Sequence, residues 1–258
     1  LTLDASATPI PVLRFDEIDS TNAEARRRAE AGETGPLWIA ADRQTAGRGR
    51  RGRSWETGSG NLAATLLLKL DKPPAEAALI SFVTALAVAD LAAKYVPPSL
   101  VTLKWPNDVM VAGRKVSGVL IESGRALGDR LWLVVGCGVN LKTPPEAADR
   151  PATAFAEHLK GDIAAPPSPA EALERLSLRF QSWLAVWERE GVGAVLDAWT
   201  ARAQGMGGPC TARLDHETID GVAEGLEPDG ALRLRLPDGS IRRITAGDVF
   251  FPTTEEPA

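Results

Sequence analysis

The chain has 258 residues, 44% apolar and 24% charged, which suits one large domain or a large and a small one and excludes global disorder. A net charge of −5 argues against a general nucleic-acid or membrane-binding surface but leaves room for a local basic site. Two distant cysteines, Cys137 and Cys210, and two histidines, His158 and His216, exclude a disulfide framework, a cysteine zinc site and a His-rich metal centre, and suggest a reduced, cytoplasmic protein.

The first fifteen residues carry Asp4 and two prolines without a basic start and an apolar block, unlike a signal peptide. Val12–Ile18 reads as a strand. A helix should follow, with Thr21 and Glu24 at capping-box spacing, an alanine-rich body over 23–31 and Gly32 as a stop. Residues 37–41 and Leu62–Leu70 are apolar strands on either side of a Gly/Arg-rich loop. The stretch 77–93 repeats Leu79, Phe82, Val83 and Leu86 at helical spacing. It contains Asp90 and falls short of the roughly 20 residues of a membrane span, so it reads as a core helix.

Val101–Lys104, 116–122 and Leu131–Val139 read as further strands. Strands and helices without regular alternation predict an α+β domain with a mixed or antiparallel sheet. Residues 144–168 are rich in Pro and Ala and predict an irregular connection around a short helix. Ser168-Pro169-Ala170-Glu171 then starts a helix: Ser caps, Pro takes the first position and Glu the third. Its Leu173, Leu176, Phe180, Trp183, Leu184 and Trp187 form one apolar face, and a second helix spans 195–203.

After Gly205-Met206-Gly207-Gly208-Pro209 the pattern changes. Asp220-Gly221, Asp229-Gly230 and Asp238-Gly239 are hairpin-type turn pairs about nine residues apart. Leu232, Leu234 and Leu236 alternate with Arg233 and Arg235, a strand with one wet face. The expected division is therefore 1–206 as the large domain and 207–258 as a small barrel.

The strongest local anomaly is the segment 43–53, with five arginines (Arg43, Arg48, Arg50, Arg51, Arg53), three glycines and no acid. Glycine lets backbone approach a ligand, and arginine offers a planar donor fork for carboxylate or phosphate oxygens. Gly47-x-Gly49-x-x-Gly52 matches a dinucleotide fingerprint in letters only. Bulky arginines fill its variable positions, and Trp55-Glu56-Thr57-Gly58-Ser59-Gly60 starts no helix. A basic tract for RNA, a solvated loop and an anion-binding lid stay open; a lid should be mobile when empty.

Further along, Lys104-Trp105-Pro106-Asn107-Asp108 reads as a turn that aims Asn107 and Asp108, or simply as a polar turn. Lys115 opens an apolar strand that Gly118 interrupts for a close approach. Gly136-Cys137-Gly138-Val139-Asn140 ends another strand with two gaps and an amide, and Cys137 reads as a small buried residue.

Together these segments resemble one family, the biotin protein ligases, in a monofunctional form without an N-terminal DNA-binding domain. The matching pieces are Ser20-Thr21-Asn22, Gln44 through Arg53 with Trp55, Lys104–Asp108, Lys115 with Gly118 and Glu122, and Gly136-x-Gly138-x-Asn140. They stand in the family's order, and the similarity runs from about Ser20 to Phe250. The resemblance implies a biotin/lipoate-ligase catalytic domain followed by an SH3-like barrel.

It also implies a reaction. Biotin and ATP with Mg²⁺ give biotinyl-5′-AMP, and the biotinyl group passes to a lysine of a biotin carboxyl carrier protein. Lys115, Arg48 and Arg50 would be the catalytic groups. Ser20, Thr21, Asn22, Gln44, Arg48, Gly49, Arg50, Lys115 and Gly118 would bind biotin. Arg50, Arg51, Arg53, Trp55, Asn107, Asp108, Lys115 and Asn140 would hold the nucleotide. Mg²⁺ would come with ATP, near Asn107 and Asp108, with no protein-held metal. Ser20 and Thr21 also read as a helix cap, and both readings can hold at once.

Only nineteen residues precede Ser20, so no operator DNA is expected, and no membrane; a homodimer is left open. Two alternatives differ in chemistry. A lipoate or other acyl ligase on the same fold lacks its typical His-containing glycine motif here. An RNA-binding protein using the Arg/Gly loop runs against the acidic net charge.

Overall fold

The computed structural model describes residues 9–70, 72–125, 131–146 and 151–252. A seven-stranded sheet is built from β1 (Val12–Ile18), β2 (Leu37–Gln44), β3 (Leu62–Leu70), β4 (Val101–Lys104), β5 (Asp108–Val111), β6 (Arg114–Arg125) and β7 (Leu131–Val139). Its order is β1-β2-β3-β7-β6-β5-β4. Only β1 and β2 run parallel, joined by the crossover helix α1 (Thr21–Glu30); every other neighbouring pair is antiparallel.

Both faces of this sheet are covered, which explains strands with near-continuous apolar runs. On one face lies α3 (Ile80–Tyr95), preceded by the short α2 (Pro74–Ala77), with α4 (Pro169–Glu190) and α5 (Val192–Thr200) behind it. Trp38 of β2 stacks edge-on against Phe180 of α4 and donates its indole N–H to Ser177 Oγ at 3.0 Å. The other face carries α1, whose Ala25 and Ala29 pack on Ile39, Leu67, Trp132 and Val134. Small residues on that helix bring its backbone close to the sheet.

The helix expected over 77–93 is α3, displaced to Ile80–Tyr95, with α2 before it. The stretch Pro74–Tyr95 has the length and apolarity of a membrane span, but most of it is buried against the sheet and α4, as in a core helix. The α4 start is as predicted. Ser168 Oγ accepts from Glu171 N, Glu171 Oε2 accepts from Ser168 N at 2.9 Å, and Pro169 opens the first turn. In 144–168 the described residues contain one short turn of helix, Phe155–Glu157.

Four expectations need correction. The cap of α1 is Ser20, one residue before the predicted box, and it accepts from Ala23 N. The second helix is Val192–Thr200, displaced toward the N-terminus from 195–203. The strand β5 went unpredicted: Val109-Met110-Val111 returns antiparallel to β4 and is fully buried. Finally, Asp220-Gly221 lies inside a strand, where a side chain at Gly221 would press on Leu234 and the Arg235 carbonyl; the glycine serves close packing, not a turn.

The remaining strands are β8 (Pro209–Arg213), β9 (Thr218–Leu226), β10 (Leu232–Arg235), β11 (Ile241–Ile244) and β12 (Asp248–Phe250). They form a five-stranded antiparallel sheet in the order β11-β10-β9-β8-β12, of the small SH3-like kind. Asp229-Gly230 and Asp238-Gly239 do turn the chain between its strands, each glycine at positive φ. Trp105, 2% exposed in the β4–β5 turn, donates its indole N–H to Gly230 O at 3.0 Å and ties the two sheets together.

Candidate active site

Above the α1 face of the large sheet, between the N-terminus of α1 and the Arg/Gly loop, lies a cavity of about 210 Å³. A single buried water needs only about 10–15 Å³ on this measure, so the space is ligand-sized. Ser20, Thr21, Asn22 and Gln44 line one part; Arg48, Gly49, Arg50, Arg53 and Lys115 line another, with Trp55, Asn107, Asp108, Gly118 and Asn140 also on the wall.

The floor is made by missing side chains. β6 and β7 pair Gly118 with Gly138 and Leu120 with Gly136. A Cβ at Gly138 would collide with the Trp55 indole, and one at Gly136 with the Asn22 amide. At Gly118 a Cβ would crowd Lys115, whose Nζ would lie 3.0 Å away. The spaced glycines seen in the sequence therefore admit protein side chains that themselves shape the site.

The polar part is a fixed hydrogen-bond network. Gln44 Oε1 accepts from Thr21 N at 2.8 Å, and Gln44 Nε2 donates to Thr57 Oγ1 at 3.1 Å. Thr65, buried on β3, lies 2.8 Å from Thr21 Oγ1 and 2.7 Å from Asn22 Oδ1. Asn22 Nδ2 donates to Glu122 Oε2 at 2.9 Å. Neutral donors and acceptors dominate, which fits an uncharged polar group.

The cationic part gathers on two supports, β6 and the Arg/Gly loop, both braced by the 104–108 turn. Lys115 Nζ lies 2.5 Å from Asp108 Oδ1 and 5.8 Å from the Trp55 ring centroid. Arg50 donates to Asn107 Oδ1 at 3.0 Å, and Asn107 Nδ2 donates to the Val119 carbonyl, so the 104–108 turn is locked to β6. Burial draws the Arg50 guanidinium below the ordinary arginine value, opposed by the charges of Asp108 and Asp248; the group stays cationic at any working pH. Among the described residues no hydrogen bond or ion pair engages the Arg48 side chain, which faces the cavity.

The Arg/Gly loop is a narrow hairpin. Trp55 N donates to Gly47 O, Gly49 N to Arg53 O, and Arg50–Gly52 makes one tight turn. No long helix starts here, as the failed dinucleotide pattern requires. The five arginines do different work. Arg43 pairs with Glu17, away from the cavity. Arg51, at φ 56°, pairs with Asp215 and Asp248 of the small sheet, and Arg53 with Asp248 at 2.6 Å.

Arg51, expected on the nucleotide, is not on the cavity wall and pairs with two carboxylates. Arg53 lines the cavity yet is also held by Asp248. Asn140, 2% exposed, lines the wall with its amide donating to Thr153 O at 3.0 Å. The structure brings the other expected residues together. Thr65, Thr57 and Asp248 were missed, and Glu122 stood in the motif without a role. None carries a local pattern, because each is recruited by pairing across the sheet or between domains.

Among the described residues no group of three or more His, Cys, Asp or Glu could hold a metal. His158 sits outside the cavity wall, 2.8 Å from Thr153 Oγ1. Burial pushes the Cys137 thiol up to about 12, so it is no nucleophile at neutral pH.

A mixed-sheet α+β domain with this cavity, followed by a small antiparallel sheet, is the architecture of the biotin/lipoate ligase class. Residues 13–140 match the Biotin/lipoate A/B protein ligase family, and residues 206–251 match the Biotin protein ligase C terminal domain. The chain is 40% identical over 235 residues to a biotin–[acetyl-CoA-carboxylase] ligase of Paracoccus denitrificans, covering 90% of this chain and 97% of that one. It is 31% identical over 236 residues to the Mycobacterium tuberculosis enzyme of the same name, covering 89% and 85%. It superposes on biotin protein ligase from Aquifex aeolicus in complex with biotin and ATP with a TM-score of 0.76, at 26% identity and covering 94% and 98%. The chain belongs to the biotin protein ligase family.

Proposed function

We propose that this protein activates biotin with ATP and transfers it to a lysine of a biotin carboxyl carrier protein. The observation that carries this reading is the division of one cavity between a neutral hydrogen-bond network and converging cations. Biotin has that same division: a neutral ureido ring at one end and a carboxylate at the other.

In the first step an oxygen of biotin's carboxylate bonds to the α-phosphorus of ATP while the bond to the β-phosphate oxygen breaks. Biotinyl-5′-AMP and pyrophosphate result. An anion must approach a polyanion, and Arg48, Arg50 and Lys115 offset that repulsion. Thr21, Asn22 and Gln44, with Ser20, hold the ring; the backbone at Gly49 faces the acyl-phosphate beside Arg48 and Arg50. Trp55 offers its indole to adenine, with Asn107, Asp108 and Asn140 around the nucleotide. Magnesium would come with the nucleotide, near Asn107 and Asp108, and would offset charge on its phosphates; Asp108 itself is paired with Lys115 and Asp248 with Arg53.

In the second step the carrier's lysine amine attacks the acyl carbon, the bond to AMP breaks, and the amine loses a proton. Residues 1–206 supply the catalytic domain and 207–258 the small one. The reaction belongs in the cytoplasm, where ATP and carrier are found. The pairings of Arg51 with Asp215 and of Arg53 with Asp248 weigh against RNA on the same loop, since they use charge an RNA would need.

The test is biotin-dependent exchange of labelled pyrophosphate into ATP, followed by an avidin blot of carrier protein. Exchange that requires biotin and Mg²⁺ is expected, with a blot signal only when ATP is added. No exchange from folded protein would overturn the assignment, and exchange driven by lipoate alone would shift the substrate.

A further inference from the structure

One carboxylate, Glu122, is bonded into the polar network without lining the cavity. Glu122 follows Gly118 and Leu120 at two-residue steps along β6, so it leaves the same face of the sheet as those wall residues. From Glu122 a chain of bonds runs through Asn22 (2.9 Å) and buried Thr65 (2.7 Å) to Thr21 (2.8 Å), which lines the cavity.

Counting protons gives this chain a direction. A carboxylate only accepts, so Asn22 turns its NH₂ toward Glu122 and its carbonyl oxygen toward Thr65. That oxygen takes the single hydroxyl proton of Thr65. Thr65 then has only lone pairs to offer Thr21, whose own hydroxyl proton turns inward to meet them. The Thr21 hydroxyl has a second acceptor within reach, Gln44 Oε1 at 3.1 Å, which also receives the Thr21 backbone N–H at 2.8 Å; two hydroxyl protons serve three oxygen contacts, and they go to the two shorter ones, at 2.7 and 2.8 Å. Thr21 Oγ1 is left facing the cavity with lone pairs.

We propose that Glu122 is a positioning residue that sets the hydrogen-bond polarity of the polar end, so that Thr21 presents an acceptor and selects a ligand with an N–H donor. The ureido N–H groups of biotin are such donors. The inference rests on the biotin reading and deepens it by naming the group that fixes its specificity without touching the ligand.

Pyrophosphate exchange by the full chain, with biotin and ATP varied separately, tests it. Glu122→Gln keeps an acceptor at the same reach and should leave KM for biotin within about threefold of wild type. Glu122→Met keeps the length without the acceptor and should raise KM for biotin by about tenfold or more, with KM for ATP and kcat at saturating biotin within about twofold. Thr65→Val cuts the chain at its centre and should give the same split. A thermal melt confirms folding for each.

In the wild-type protein, two size-matched biotin analogues with one or the other ureido N–H replaced by a ring oxygen provide a measurement that needs no variant. At least one should bind about tenfold or more weakly than biotin. The proposal is overturned if both analogues bind like biotin. It is also overturned if folded Glu122→Met or Thr65→Val keeps the wild-type KM for biotin, or raises the KM for ATP equally. Wild-type protein with no biotin-dependent exchange would instead sink the ligase reading itself.

Discussion

At the polar end most working side chains stand on regular structure, Thr21 and Asn22 on α1, Gln44 on β2, Thr65 on β3 and Glu122 on β6, with Ser20 capping α1 and Thr57 in the loop before β3. At the cationic end Lys115 stands on β6, but Arg48 and Arg50 stand on a hairpin loop between β2 and β3. The difference follows from the forces involved. Hydrogen bonds to a neutral ring weaken steeply with misalignment and need rigid supports. Charge acts over a longer distance and tolerates a support that can close over the reactants. On the proposed reading, the sheet and helix would recognise the ring, and the loop together with Lys115 of β6 would bring the charge to it.

The largest test of that contrast is removal of charge. Arg50→Ala or Lys115→Ala should slow adenylate formation by about 10²- to 10³-fold while the protein still folds, read by exchange and by calorimetry of biotin binding. Wild-type exchange rates would break the contrast. Next comes the floor that both ends share. Gly138→Val places a side chain where the Trp55 indole lies, and the affinity for a non-hydrolysable adenylate analogue should fall by about tenfold or more. Biotin alone should bind with a smaller loss, because Gly136, not Gly138, faces Asn22.

A smaller effect is expected from Asp248→Asn, which weakens the hold on Arg51 and Arg53. Protease should then cut within residues 47–53 several-fold faster in the empty protein, a rate followed by mass spectrometry. An unchanged rate would show the loop to be held by its own backbone bonds.

The smallest effect is at Asp19, beside the α1 cap. Its bonds from Arg27 hold the carboxyl down at about 2, below the usual 3.8. A lowered value means that the stabilisation is complete above pH ~4 and is lost as pH falls toward ~2. Both partners are about half exposed, so Asp19→Asn should cost under ~1 kcal/mol at neutral pH. In urea melts the difference from wild type should shrink near pH ~3.

Where residues act through local pattern, the sequence was readable. Ser168 and Glu171 close a turn upon themselves, and the apolar face of α4 repeats at helical spacing. The Arg/Gly loop announced a charged site because arginine is so concentrated there. What stayed hidden depends on distant partners. Arg51 looks like its neighbours in the sequence, and only the small sheet's Asp215 and Asp248 separate its task from that of Arg50. Val109-Met110-Val111 is too short to declare itself a strand until β4 and β6 flank it. Gly221 next to Asp220 mimics a turn, and only the crossing of β10 shows that it makes room.

The cross-links from Trp105 to Gly230 and from Arg51 and Arg53 to Asp215 and Asp248 bear on how such chains diverge and can be recombined. A chimera that borrowed its last fifty residues from a relative would inherit a catalytic loop whose anchors had been chosen by a different partner. Exchange of that terminal module should succeed only when the matching acids travel with it, so positions 51, 53, 215 and 248 form a unit that evolution or an engineer must alter in concert.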